Sequence, residues 1–375
     1  KGNLTTLTDP TNRQVSFTYN AQGQPLTMTT AAGTTQLAYS LGDVTKVTDP
    51  VGNVGTQATD GGGRVVRQTN PLGQQVQYAY DALNRLTQMT DPFGQTTAFT
   101  YDGNDNLLTL ADAQNGVTQY TYDGKNRVAT RKDPLLRQES FQYDGKDNLI
   151  QSTDRKGQIT TTTYDSRNRP TVVTYDDGAT VQYTYDAGDR VTQLVDSVNG
   201  TITRAYDGLD RVTAETTPQG TVTYTYDAAS RRTSMTVAGQ PTVTYAYDNA
   251  NRLTQIAQGS NITNFAYDAA GRRSSMTLPN GIMVTYSYDA ALRLTALTYT
   301  QGATTLGNLT YSYDQAGRRS GTGGSFARTG VPNAINTANY NAANQQLTLG
   351  PKSATYDHNG NLQTLTDSSG TTTYT

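Results

Sequence analysis

Residues 206–233 read YDGLDRVTAETTPQGTVTYTYDAASRRT, and the stretch contains its own beginning. Tyr206-Asp207 returns as Tyr226-Asp227, and Arg211 returns as Arg231. Recurrence at a fixed period marks a repeat architecture, and that decides the fold before any single residue does. From Tyr80 the aromatic recurs at Tyr101, Tyr122, Tyr143, Tyr164, Tyr185 and Tyr206, each followed by Asp, with 21 residues per step. Tyr226, Tyr247, Tyr267 and Tyr288 follow at 20 or 21 residues, and Tyr313 after a longer step. Upstream the pattern is degraded: Tyr19-Asn20 and Tyr39-Ser40 keep the aromatic, Thr59-Asp60 keeps the acid. Downstream it loosens through Tyr340-Asn341 and Tyr356-Asp357. Tyr175-Asp176 alone is out of phase and is read as a coincidence.

Inside one period, two strand patterns alternate with two turn patterns. Val181-Gln182-Tyr183-Thr184-Tyr185 puts Val and both tyrosines on one face, and Val76, Val222, Val243 and Val284 begin the same alternation in other repeats. A period of two with one apolar side is the signature of a half-buried strand. The next residues are rich in Gly, Ala, Asn and Asp, as in Asn249-Ala250-Asn251, and suit a reversal. A second strand starts after the arginine, as in Arg252-Leu253-Thr254-Gln255-Ile256. Its apolar residues lie three apart, so either a bulge intervenes or both faces are partly covered. The second reversal is often Asp-Pro-x-Gly, as in Asp91-Pro92-Phe93-Gly94, the composition of a type I turn.

One period is therefore a hairpin, and the chain holds about fifteen of them, or roughly thirty strands. Open twisted sheets rarely exceed about ten strands without curling or splitting. At about 4.8 Å between strands, each repeat advances the sheet by roughly 10 Å. The expected fold is all-β: antiparallel hairpins of period ~21 coiled into a spiral sheet that forms a hollow shell or tube. Apolar residues make up 34% of the chain and charged residues 16%, which argues for a thin sheet with one wet face. The expected organisation is one continuous repeat domain: degenerate repeats over 1–79, regular repeats over 80–320, an irregular Gly-rich insertion over 321–355 and a last partial repeat over 356–375. Lys1-Gly2-Asn3-Leu4 opens in mid-repeat and Thr371–Thr375 stops where a strand is forming, so a fragment is expected.

The net charge of −2 gives no electrostatic footprint for nucleic acid or for a membrane surface. No apolar run is long enough to span a bilayer as a helix. There is no cysteine, so disulfides are excluded.

Tyr-Asp-x-x-x-Arg with Asp-Pro-x-Gly turns, at a period near 21, resembles the YD repeats of the RHS family over nearly the whole chain. That family holds bacterial polymorphic toxins, the C components of Tc toxins, wall-associated bacterial proteins and the teneurins. The resemblance implies a large spiral β-shell that in toxin members encloses a C-terminal toxic segment. It implies a secreted, extracellular or cell-surface protein whose partners are its own C-terminal cargo polypeptide or adjoining shell segments. Self-association through sheet edges and contact with surface glycans are further expectations. Toxin members cut themselves with an aspartate-based protease in a core that follows the repeats; no such core is recognisable here, and no catalytic residue is carried over.

Repetition itself argues against a catalytic site, because catalysis needs one unusual constellation. Asp81 with Arg85, and Asp207 with Arg211, are read as ion pairs across a turn or between hairpins. Arg190 belongs to the same column, and with the repeat tyrosines these residues are the expected structural anchors. His358, the single histidine, falls in an ordinary turn slot, and no Gly-x-Ser-x-Gly elbow exists to pair with it. Asp102-Gly103-Asn104-Asp105-Asn106 and Asp144-Gly145-Lys146-Asp147-Asn148 open like calcium loops, but Leu107 and Leu149 stand where an EF-hand needs glycine. No cofactor and no metal are expected. The expected function is a non-enzymatic wall that shields a cargo; the alternatives are an adhesive or fibre-forming surface protein and, more remotely, a polysaccharide-active enzyme with paired carboxylates.

Overall fold

The computed structural model describes residues 2–9, 12–31, 33–328 and 337–374. All regular structure among them is β-strand. Thirty-one strands, from Thr6–Thr8 to Arg319–Gly323, form one sheet, and five more, from Ala338–Tyr340 to Gly370–Thr373, form a second. Strands consecutive in the chain pair antiparallel, as in the run from Thr96–Tyr101 through Leu107–Ala111, Val117–Tyr122 and Val128–Lys132.

Where the second reversal is Asp-Pro-x-Gly, the two reversals of the repeat share one geometry; elsewhere, as at Gln258 opposite Asn261 and Gln301 opposite Thr304, the second is a two-residue loop. At Asp81–Arg85, Asn84 N–H donates to Asp81 O at 3.1 Å and Asp81 N–H donates to Arg85 O at 3.0 Å. At Asp91–Gln95 the corresponding distances are 3.0 and 2.8 Å. Each is a type I turn closed by a left-handed residue, the usual three-residue hairpin loop. The left-handed position explains the composition: Asn84 has φ +65° and Gly94 φ +80°, and Asn and Gly tolerate that region best. The leading aspartate adds its own bonds, with Asp81 Oδ1 accepting from Leu83 N–H at 2.9 Å and Arg85 N–H at 3.0 Å. Such side-chain acceptors favour the turn over continued strand.

The open question of the apolar spacing resolves as a bulge. Tyr245 lies opposite Ile256, Ala246 opposite Gln255 and Tyr247 opposite Leu253, so one residue of the second strand is left over. The same shift recurs at Tyr101 opposite Leu107 and Tyr185 opposite Val191. A two-against-one bulge reverses the side-chain alternation once. It therefore brings Leu253 and Ile256 to the tyrosine face together. That face is the covered one: Gln75–Tyr80 and Val117–Tyr122 alternate exposed with half-buried residues. Val284, 2% exposed, and Val181, 8% exposed, are its fully buried apolar residues among those described. The sheet is thin, as the modest apolar content requires.

The chain divides into two compact units. In the unit of Lys1–Gln77, Tyr206–Ala214 and Gly220–Val331, the turn at Asp9–Arg13 meets the turn at Asp268–Arg272: Arg13 Nη1 donates to Ala270 O at 3.4 Å. In the unit of Tyr78–Ala205, Glu215–Gln219 and Pro332–Thr375, turns at 341–345 and 357–361 meet turns at 112–116, 133–137 and 154–158. Within each unit, then, a Tyr-Asp turn contacts the opposite kind of turn more than 200 residues away.

The first sheet ends beyond Gly323 in a short latch, where Phe326 N–H donates to Asn308 O at 3.0 Å and the Phe326 ring meets Tyr299 edge-on at 5.4 Å. Of the stretch 321–355 expected to leave the regular pattern, residues 329–336 lie outside the described residues. Beyond them, Ala338–Tyr340 pairs with Gln346–Leu349 across a turn in which Asn344 N–H donates to Asn341 O at 2.9 Å.

Candidate functional site

The residues singled out by the repeat converge on one interlock, built again at each period. The turn holds Asp and Arg four residues apart: Arg85 Nε lies 2.7 Å from Asp81 Oδ2, with the side chains 21% and 24% exposed. Arg211 Nη2 with Asp207, and Arg190 Nη2 with Asp186, do the same at 2.6 Å. These pairs span the turn and also reach the next hairpin. Arg85 Nη1 donates to Asp102 O at 2.7 Å, Arg127 Nη1 to Asp144 O at 3.0 Å and Arg211 Nη1 to Asp227 O at 3.0 Å. Every arm of the guanidinium has a defined acceptor, which suits arginine's rigid fork.

The tyrosine of the following repeat lies beneath the arginine. Arg85 sits over the Tyr101 ring at 4.9 Å, Arg127 over Tyr143 at 4.6 Å and Arg169 over Tyr185 at 4.4 Å. Arg231 over Tyr247, Arg252 over Tyr267, Arg272 over Tyr288 and Arg293 over Tyr313 continue the series at 4.5–4.9 Å. Each hydroxyl then donates back to the carbonyl one residue after the preceding repeat's Arg position: Tyr101 to Leu86, Tyr122 to Leu107, Tyr143 to Val128, Tyr164 to Leu149 and Tyr185 to Pro170, all within 2.8–3.1 Å. Tyr226, Tyr247, Tyr267, Tyr288 and Tyr313 repeat the bond at 2.7–2.9 Å. A cation–π contact contributes about 0.5–2 kcal/mol and a hydroxyl–carbonyl bond about 1 kcal/mol. One repeat is thus fastened to the next by a ring, a charge and a hydrogen bond. Tyr80 and Tyr206 end the strands Gln75–Tyr80 and Gly200–Tyr206 in the same phase.

Electrostatics follow the geometry. The Arg127 side chain beside Asp123 holds its carboxyl down at about 2. Asp81 is lowered first by the Arg85 backbone N–H, and Asp207 first by the Arg211 side chain. Burial pushes the Tyr122, Tyr185 and Tyr288 phenols up. The would-be calcium loops are turns of this kind: Asp102 accepts from Asn106 Nδ2 at 2.9 Å and Asp144 from Asn148 Nδ2 at 2.8 Å, asparagine taking the arginine's place. The carboxylates of Asp105 and Asp147 accept instead from the preceding hairpin, from Arg85 Nη1 at 2.9 Å and Arg127 Nη1 at 2.6 Å. His358 is an exposed residue of the Asp357–Asn361 turn. Tyr175 occupies the first slot of a turn, where repeats such as those at Asp91, Asp112 and Asp154 place Asp, with Gly178 N–H donating to its carbonyl at 2.9 Å.

One constellation breaks the repetition. Asp133, 5% exposed, accepts from Arg137 Nε at 2.7 Å and from Arg155 Nη1 at 3.2 Å. Arg137 Nη1 also donates to Asp357 O at 3.1 Å, and Lys156 Nζ lies 2.6 Å from Asp357 Oδ2. Asn359 Nδ2 donates to Asp154 Oδ2 at 2.6 Å, and Arg155 Nη2 donates to Asn359 O. This charged clasp docks the turn of the second sheet onto two turns of the first, within one compact unit. Lys156 holds the Asp357 carboxyl well below the usual range. Sequence reading missed the clasp, since its partners lie more than 200 residues apart; its one local trace is Arg155-Lys156, two adjacent basic residues in a turn slot.

A family model for the teneurin YD-shell matches residues 116–349, and RHS-repeat models match residues 1–35, 60–96 and 83–116. A search of the curated proteins finds no match. Among solved structures, the crystal structure of TcdB2-TccC3-TEV is similar, with a TM-score of 0.71 and 14% identity over 96% of this chain and 24% of that one. TcdB2-TccC3 without its hypervariable C-terminal region has a TM-score of 0.51 at 14% identity over 94% of this chain and 21% of that one. The Photorhabdus luminescens Tc holotoxin pore with a mutated TccC3 has a TM-score of 0.50 at 14% identity, over 94% of this chain and 25% of that one. This chain spans about a quarter of the length of these structures, and at such identity the likeness is one of fold.

Proposed function

The chain belongs to the RHS-repeat and YD-shell family, and on that premise we propose that it is a wall segment of a β-shell that shields a polypeptide cargo until delivery. The observation that carries the reading is the interlock: the same Asp–Arg–Tyr fastening joins successive hairpins along the chain, a use of residues suited to a continuous wall. The turn-to-turn contacts inside each compact unit support it further, because they satisfy opposite margins of the ribbon against each other.

The mechanism is physical. Ladder hydrogen bonds close the wall to solvent and to other chains, and the tyrosine fastenings hold the register. Cargo enclosed behind such a wall stays inactive because protease and target cannot reach it. The titratable groups of the repeat are consumed by the turns that they build, so the wall itself performs no chemistry in this reading. The partners are the cargo and the neighbouring wall segments, and the place of action is outside the producing cell, as the resemblance to Tc toxin structures suggests.

Proteolysis of the natural protein that carries this segment tests the reading. Enclosed polypeptide resists protease until urea opens the sheet and is then cut at once. Immediate cleavage of everything beyond the repeats, together with retention on cell-wall polysaccharide, would put the adhesive reading in its place.

A further inference from the structure

The stretch 220–328 departs from the charge balance of the rest of the chain. Its acids are Asp227, Asp248, Asp268, Asp289 and Asp314, and each sits in a turn beside its own arginine: Arg231, Arg252, Arg272, Arg293 and Arg318 at 2.7 Å. The stretch has no Lys and no Glu, so Arg232, Arg273, Arg319 and Arg328 form a positive surplus in a chain whose net charge is −2. Three of these surplus arginines share one structural position. Arg232 lies opposite Tyr226, Arg273 opposite Tyr267 and Arg319 opposite Tyr313. The intervening repeats place Leu253 and Leu294 there, opposite Tyr247 and Tyr288.

Paired residues of a ladder point to the same side, so the three guanidiniums stand on the tyrosine face. They lie over its rings: Arg232 over Tyr245 at 4.8 Å, Arg273 over Phe265 at 4.6 Å and Arg319 over Tyr311 at 5.0 Å. None of them has a carboxylate within ion-pair reach among the described residues, unlike the turn arginine immediately before each. A guanidinium held over a ring by cation–π attraction still has N–H donors for bidentate bonding to a carboxylate.

We propose that this column is a binding surface for an acidic polypeptide segment running across the strands of 220–323. The arginines recur every second repeat, a spacing of roughly 19 Å at about 4.8 Å per strand. An extended peptide covers that distance in about six residues at ~3.3 Å each. Carboxylates so spaced meet the arginines one to one. A nucleic acid strand, with a phosphate about every 3.4 Å, would leave most of its charge unmatched.

The test is fluorescence anisotropy of a labelled Gly/Ser peptide carrying a glutamate at every sixth residue, with the 375-residue chain at low salt. The variant R232L/R273L/R319L carries the residue that neighbouring repeats already hold at this position, and it should weaken binding about tenfold or more. Arg67→Gln, on the opposite face between Ala58 and Gln77, should leave binding unchanged. Should the triple variant fail to fold, the single changes Arg232→Gln and Arg319→Gln, both at exposed residues, should each weaken binding by about threefold. Equal binding by the folded triple variant, or by both single variants, would overturn the proposal. Tighter binding of single-stranded poly-uridylate than of the glutamate-spaced peptide would overturn the assignment to polypeptide.

Discussion

Replacing Tyr185 by alanine removes three contacts at once, and their sizes can be set from the structure. The hydroxyl bond to Pro170 O at 2.8 Å contributes about 1 kcal/mol. The Arg169 guanidinium 4.4 Å over the ring contributes about 0.5–1 kcal/mol. Deleting a fully buried aromatic costs about 3–5 kcal/mol in total, and this ring is half-buried, so its packing share is nearer 1–2 kcal/mol. The sum is about 3 kcal/mol. In a repeat sheet that loss is felt by the hairpins on either side rather than by the whole chain. Amide hydrogen exchange in strands Pro170–Thr174 and Val191–Asp196 should therefore quicken by about two powers of ten, at about 1.4 kcal/mol each. Tyr185→Phe should lose only the hydroxyl bond, about one power of ten or slightly less. Tyr175→Ala, at a ring 45% exposed in a turn, should change exchange by less than about threefold. Equal effects of Tyr185→Ala and Tyr175→Ala would refute the claim that phase within the repeat decides a tyrosine's role.

Leu136, at φ +64° and 69% exposed, is a leucine held in a left-handed turn position, so Leu136→Gly should raise the urea midpoint by about 0.5–1 kcal/mol of stability, whereas Leu135→Gly should lower it. The Asp123 carboxyl, held at about 2 in the fold against about 3.9 in an unfolded chain, contributes stability that is complete above pH 4 and is lost as the pH falls from about 4 to 2; Asp123→Asn should flatten that part of the pH profile of the urea midpoint. Asp133→Ala leaves Arg137 and Arg155 without their shared acid in a buried clasp, and should cost about 3–5 kcal/mol, read as faster proteolysis within 352–374, while Lys156→Ala should cost about 1 kcal/mol or less.

The repeat was legible because its signal is local and multiplied. Period-two alternation before each tyrosine, and Asp-Pro-x-Gly at the second reversal, specify a strand and a turn within a few residues. The bulge was legible only as a dilemma, since Leu253 and Ile256 three apart fit either a bulge or a strand covered on both sides; the register opposite Tyr245 and Tyr247 decides it. The Asp–Arg pair could be read as a salt bridge, but not its second role. Nothing within one repeat shows that Arg85 lies over a ring sixteen residues onward, because that contact depends on how hairpins sit side by side. Reading the pair as an ion pair alone therefore undervalues it, for the same guanidinium also holds Asp102 O. The Asp133 clasp joins residues more than 200 apart and depends on the course of the whole unit, which no local pattern encodes.

Electron microscopy of the purified 375-residue chain, with its mass by light scattering, tests the wall most directly. The account predicts single chains that do not assemble edge to edge, with the mass of one 375-residue chain. Long uniform filaments of many chains would contradict it and make edge-to-edge assembly the property to explain.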